Sequence, residues 1–236
     1  ARPTMAFTPI FMATRIVEMA ARVDLHAASI LDSGVIEALE YACLNDYDNF
    51  GMSIAAEAAG AVVTLVGRNE GGKTLSTSTV NAVLDNFAVY FEPTHFYSEQ
   101  SARKVAPNAR RVATMAVADA NKKTMLQHDK LLDALVAGLL LDDDNPRRRQ
   151  DGADALQETC AGVLHELALY APGVQVLRSH GATMDALRVL ADMGTKRSRE
   201  RAQGALFELD EEARSATRAA QKDAIADGAQ KPPPHI

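Results

Sequence analysis

The chain has 236 residues, 47% of them hydrophobic and 24% charged, with a formal net charge of -6. That length supports a sizeable core, and the acidic balance argues against a general nucleic-acid binder, which carries a basic excess. No uninterrupted apolar run reaches membrane-spanning length, and the opening "ARPTMAFTPIFMATRIVEMAARVD" lacks the basic–apolar–cleavage order of a secretory signal. Cys43 and Cys160 sit in Ala-rich apolar segments and read as reduced core residues, so a cytoplasmic protein is expected.

Along the chain, apolar residues recur at helical spacing, and the period-two alternation of strands is almost absent. Ile54, Ala58, Ala61, Val62 and Leu65 form one helix face. An aromatic cluster follows at Phe87, Tyr90, Phe91, Phe96 and Tyr97, read as core and loop packing. Pro107, in "SARKVAPNARRVA", should kink or start a helix. "LLDALVAGLLLD" reads as a helix, and "DDDNPRRRQD" as a solvated loop whose opposite charges lie side by side. Leu156, Cys160, Val163, Leu164 and Leu167 mark the next long helix, and Ala202, Ala205, Leu206 and Leu209 the last. "GTKRSRERAQ" opens that last helix with positive charge, against the helix dipole.

These segments repeat. "VIEAL", "TVNAV", "LLDAL" and "TMDAL" end at Leu39, Val83, Leu135 and Leu187, which are 44, 52 and 52 residues apart. Each is followed, after a polar loop, by a longer Ala-rich helix. The ends of the long helices also match: "RIVEMAA", "AVVTLVG", "VATMAVA", "VLHELAL" and "ALFELDE", aligned on Met19, Leu65, Met115, Leu167 and Leu209. A unit of this kind cannot bury its apolar face alone, so units must stack.

"SILDSGVIEALEYACLNDYDNFGMSIAAEAAGAVVTLVG" and "VLRSHGATMDALRVLADMGTKRSRERAQGALFEL" resemble armadillo repeats, and the likeness runs over about residues 10 to 212. The resemblance implies an all-α protein, a right-handed α-solenoid of about four to five irregular repeats. The last helix of each unit would line the concave side. It also implies a protein-interaction or regulatory scaffold that is not itself an enzyme and needs no cofactor. Armadillo proteins commonly grip an extended peptide with an Asn near the end of the third helix. Here that position falls on Glu18, Thr64, Thr114, Glu166 and Glu208, none of them Asn, which argues against peptide binding of the nuclear-import type. Together with Glu57, Arg103, Arg110, Arg111 and Arg201, these residues are the candidate partner-binding face. The second reading is a ligand-sensing solenoid that holds an anionic metabolite or nucleotide near Arg103, Arg110 and Arg111.

One motif competes with this picture. Gly67 to Thr74, "GRNEGGKT", satisfies the pattern of a phosphate loop, and Asp142 or Asp143 could pose as the metal-binding acid. A phosphate loop needs a buried strand before it, whereas "AEAAGAVVTLV" keeps helical phase. The motif also aligns with "DANKKTM" and "APGVQVL" in later units, so it reads as a turn joining two stacked units. His26, His95, His128, His165, His180 and His235 lack metal-ligand spacing, and no catalytic residue or metal site is expected.

The repeat domain is assigned to residues 1–212, a polar Ala-rich capping helix to 213–229, and a Pro-rich linker to 230–236. The ending "GAQKPPPHI" resembles the junction in armadillo–TIR proteins. That resemblance implies a TIR signalling domain beyond Ile236, restrained or presented by the solenoid. The expected partner is therefore a protein or peptide, a TIR domain in the same chain included, with neither nucleic acid nor membrane.

Overall fold

The computed structural model describes residues 13–14, 16–17, 19–20, 29–30, 33–44, 48–49, 52–69, 74–92, 99–142, 145–210 and 215. Among the described residues ten helices of defined extent carry the fold: α1 (Val35–Leu44), α2 (Ile54–Asn69), α3 (Thr77–Ala88), α4 (Glu99–Met115), α5 (Asp119–Met125), α6 (Leu131–Gly138), α7 (Ala153–Leu169), α8 (Ala171–Ser179), α9 (Gly181–Met193) and α10 (Lys196–Leu209). Extended pairing among the described residues is confined to a two-residue antiparallel pair between α1 and α2, β1 (Asp48–Asn49) with β2 (Met52–Ser53), with Asp48 opposite Ser53.

The helices stack as three parallel ladders. The long helices α2, α4, α7 and α10 each contact the next. So do α1, α3, α6 and α9, which carry the repeated short words. The short helices α5 and α8 form a third ladder. Within a unit, α1 packs on α2, α3 on α4, α6 on α7 and α9 on α10. The fold is thus an all-α solenoid, and its register is the one the sequence words mark. Leu39, Val83, Leu135 and Leu187 are all buried, as are Leu65, Met115, Leu167 and Leu209. Each fully buried Leu stabilises the stack by about 1.5–3 kcal/mol relative to exposure. Met19, aligned with the long-helix residues by sequence, is 64% exposed and lies outside this core.

Repeat-equivalent positions also do equivalent polar work. Seven residues before the matched apolar position stand Ser76, His128 and His180. Ser76 caps α3 by accepting from the Thr79 N–H at 3.2 Å. His180 caps α9 by accepting from the Thr183 N–H at 3.3 Å. Thr79 and Thr183 are both fully buried. The two histidines also tie neighbouring units together: His128 Nε2 lies 3.1 Å from Asp85 on α3, and His180 Nε2 lies 3.2 Å from Asp133 on α6.

The structure corrects three expectations. "DANKKTM" and "APGVQVLRS" are not polar turns but helices, α5 and α8. Pro107 does not start a helix, because α4 begins at Glu99 and runs through it; the alternative expectation, a kink, is compatible with a proline inside the helix. The loop "NPRRRQD" is not merely solvated: Arg148 Nη1 donates to the Leu140 and Leu141 carbonyls, each at 3.1 Å. Gln157 on α7 takes the Leu139 carbonyl at 2.7 Å. Those carbonyls lie just past the C-terminus of α6, where a cation is favourable. They need outside donors because Leu140 turns into the left-handed region at φ 51°. The assigned capping helix 213–229, apart from Ser215, and the linker 230–236 lie outside the described residues.

The segment joining α2 to α3 differs from its counterparts. Only seven residues separate Asn69 from Thr77, and of the described ones Thr74 to Ser76 belong to no helix, with Ser76 extended. The Leu75 N–H bonds to Asn121 Oδ1 on α5 at 2.9 Å. Asn121 Nδ2 in turn donates to the Met115 carbonyl at 3.1 Å. Asn121 is 2% exposed, and truncating it removes the acceptor of the Leu75 N–H and leaves the Met115 carbonyl with only its bond from Ala118. Asn121→Ala should therefore cost about 2 kcal/mol in urea unfolding, and an unchanged midpoint would contradict this role.

Candidate functional site

The ladder of long helices brings most of the candidate residues onto one run of four elements. Glu57 and Thr64 lie on α2, Arg103, Arg110, Arg111 and Thr114 on α4, Glu166 on α7, and Arg201 and Glu208 on α10. Glu18 lies outside the described residues, and the Arg103 side chain is likewise not described.

Two of the positions that replace Asn behave alike. Thr64 Oγ1 donates to the Gly60 carbonyl at 2.8 Å, and Thr114 Oγ1 donates to the Arg110 carbonyl at 3.0 Å. Both hydroxyls satisfy themselves one turn back on their own helix. Glu166 instead reaches Lys122 Nζ at 3.6 Å, and that ammonium also meets Asp119 at 3.1 Å. The Lys122 side chain is only 5% exposed, so its charge is held by these two carboxylates.

Arg110 and Arg111 diverge. Arg110 is exposed. Arg111 is half-buried: Nη2 lies 3.8 Å from Glu57 Oε2 on α2, and Nη1 donates to Asn108 Oδ1 at 2.9 Å. Asn86 Nδ2 on α3 donates to that same oxygen at 3.0 Å. The Tyr90 hydroxyl also feels this cluster. Burial, and then the Glu57 charge, push its pKa up, while Arg111 and Asn108 pull the other way. The sequence groups Arg103, Arg110 and Arg111 as a basic middle, yet the Arg111 charge is committed to joining α4 to α2. The joint is tight, because a Cβ at Gly60 would overlap the Arg111 guanidinium.

A second close approach joins α7 to α10. A Cβ at Gly204 would stand 2.9 Å from His165 Nε2. Desolvation, and then the charge of Arg201, hold the His165 pKa below its ordinary value of 6.5, against the pull of Glu166 and Glu208. Arg197 adds an ion pair to Glu158 across the same two helices at 3.6 Å. His165, Lys122 and Asn108 are the residues whose roles sequence reasoning missed. Their only sequence signal is a polar position in phase with an apolar stripe.

The phosphate-loop arrangement is not built. α2 runs unbroken from Ile54 to Asn69, so a helix leads into the motif where a strand is required. Glu70 to Lys73 lie outside the described residues, and Thr74 is exposed. Among the described residues no group of three or more His, Cys, Asp or Glu is placed to hold a metal ion. A cleft of about 70 Å³ is lined by Leu140, Arg148, Gln157 and Thr195, among others. That is room for a couple of waters, far below the several hundred Å³ of a small-molecule site. The Cys160 thiol is wholly buried, and desolvation pushes its pKa far up, which makes it an inert core residue. No single helix among the described residues is long and apolar enough to cross a membrane.

No family model matches the chain, and no curated protein matches it. Among solved structures it is similar to a designed armadillo repeat protein, YIII(Dq)4CqI. The identity is 15% and the TM-score 0.41, over 85% of this chain and 93% of that one. The solenoid assignment rests on the three helix ladders and not on that likeness.

Two measurements probe the site. Gly60→Ala should cost about 1–3 kcal/mol by displacing the guanidinium, and most of that cost should vanish in an Arg111→Ala background. Additive losses would mean the two side chains are not in contact. His165 supplies a pH dependence. Its folded pKa is depressed, so below the ordinary 6.5 the unfolded chain binds more protons than the native one. The stability tied to the neutral ring is complete above that pH and falls as pH drops through the folded value. The melting temperature should fall between pH 7 and pH 5 less steeply in His165→Gln than in the parent; parallel curves would refute this.

Proposed function

We propose that the chain is a protein-interaction scaffold whose partner lies along the face of the long-helix ladder. The observation that carries this reading is the unbroken succession α2, α4, α7, α10, which presents the same helix of every unit side by side. Solenoids generally use such a surface to bind extended partners, and armadillo-like repeats generally serve protein partners. The partner-facing charges are Arg110 on α4 and Arg201 on α10, both exposed, with Glu208 beside the latter. Glu57, Arg111 and Glu166 shape that face from within, since each is engaged by a neighbouring helix. The reading assigns no catalytic residue. In its finer form the scaffold restrains or presents a TIR domain beyond Ile236. A strand followed by an α/β pattern in the full-length sequence after Ile236 would bear that out.

The test is titration of the whole chain against short extended peptides varied in charge, read by fluorescence anisotropy. Arg110→Glu and Arg201→Glu should each weaken binders roughly tenfold, about 1.4 kcal/mol. Arg188→Glu, on the exposed side of α9, should leave them unchanged. Equal losses from Arg188→Glu, or no saturable binding by any peptide, would sink this assignment.

A further inference from the structure

Three of the long helices share a bare position. Five residues before the matched Leu65, Leu167 and Leu209 stand Gly60 on α2, Gly162 on α7 and Gly204 on α10. In α4 the same position is the exposed Arg110. At Gly60 the missing side chain makes room for the Arg111 guanidinium, which reaches over from α4 beside Glu57. At Gly204 it makes room for the His165 imidazole, which reaches over from α7. Both fillers are flat, nitrogen-bearing groups from the adjoining long helix. Gly162 differs. Among the described residues nothing lies within 4 Å of where its Cβ would stand. On one side α4 turns Arg111 toward α2, and on the other α10 offers Gly204 at the same level. A glycine inside a helix is destabilising relative to alanine. Close packing accounts for it at Gly60 and Gly204, and no contact among the described residues does so at Gly162.

The surroundings of Gly162 fix the charge of a filler. Glu158 and Glu166 stand one turn to either side of it, on the same face of α7. Each side chain is 35% exposed, and each pairs with one cation at 3.6 Å, Glu158 with Arg197 and Glu166 with Lys122. A carboxylate accepts more than one hydrogen bond, and a guanidinium is flat and carries five donors. An arginine laid on the Gly162 backbone would thus repeat the joint of Arg111 on Gly60, with Glu158 and Glu166 in the role of Glu57. The adjoining helices set what lies to either side. Packed helices stand roughly 8–10 Å apart, which an extended chain covers in about three residues. One helix over from α7 in each direction are the exposed Arg110 on α4 and Arg201 on α10.

We propose that the open notch at Gly162 receives an arginine from an extended protein segment that crosses the long-helix ladder, with acidic residues about three positions to either side meeting Arg110 and Arg201. The segment recognised reads acidic–x–x–Arg–x–x–acidic. Its charges alternate as those of the ladder do, Arg110 on α4, Glu158 and Glu166 on α7, Arg201 on α10. This rests on the partner-binding reading above and names the side chain that the middle of the face reads.

Peptides of this pattern, titrated against the whole chain by fluorescence anisotropy, test it. Replacing the central arginine by glutamine should weaken binding roughly tenfold, the effect of losing one charged hydrogen-bonded contact. Gly162→Gln fills the notch and should weaken the arginine peptide to the same degree, and the two losses should not add. The melting temperature of Gly162→Gln should stay at or above the parent's, because the position is open and glutamine favours a helix. Saturable binding that needs Arg110 but ignores both the central arginine and Gly162→Gln would overturn the notch and leave the scaffold reading standing. Tighter binding of a peptide with a central phenylalanine would assign the notch to an aromatic ring, and would overturn the proposal as well. If none of these peptides binds saturably, both readings fall.

Discussion

Close contact between successive long helices is the constraint on which the molecule depends. No unit of this size can hide its own apolar face, so stability must come from the neighbour. α2 meets that demand with Ala58, Ala59, Gly60 and Ala61, all buried, which bring its backbone close to α4. α7 meets it with Cys160 and Ala161, and α10 with Ala202 and Ala205. Small residues leave little side-chain volume between backbones, so polar groups that enter these contacts must be held. Glu57 is therefore set against Arg111, and Lys122 against Asp119 and Glu166.

Polar ties follow the same unit-to-unit logic. Arg178 on α8 donates through Nε to the Leu209 carbonyl at 2.7 Å, and through Nη2 to the same oxygen, fastening the end of α10. Arg148 and Gln157 do the equivalent for the carbonyls that follow α6. Lys130 reaches Glu92 at 3.1 Å, and that contact raises its pKa. Each tie joins elements of adjacent units or closes a helix end against its neighbour. The polar ties thus follow the axis of the stack, alongside one continuous apolar cluster that runs from Leu39 to Leu209.

Much of this was legible in the sequence. Four matched words placed Leu39, Val83, Leu135 and Leu187 in the core, because helical periodicity and repeat spacing are local signals. The helical phase before Gly67 likewise told against a phosphate loop. What remained hidden were the pairings. Nothing within the segment around Gly60 announces Arg111, fifty-one residues on, and nothing near Leu75 announces Asn121. The basic middle looked uniform because Arg110 and Arg111 are adjacent in sequence. One step along a helix turns a side chain by roughly 100°, which is enough to send one to solvent and the other to Glu57. The first helices α5 and α8 were missed because seven to nine residues give too few turns for a periodic signal to rise above the polar composition.

The contact between Leu75 and Asn121 has a mechanical consequence. Leu75 leads into α3, while Asn121 belongs to α5 of the next unit. The same amide also reaches the Met115 carbonyl at the end of α4. One buried side chain therefore fastens three elements of two successive units, and α5 cannot slide against either neighbour without breaking one of its bonds.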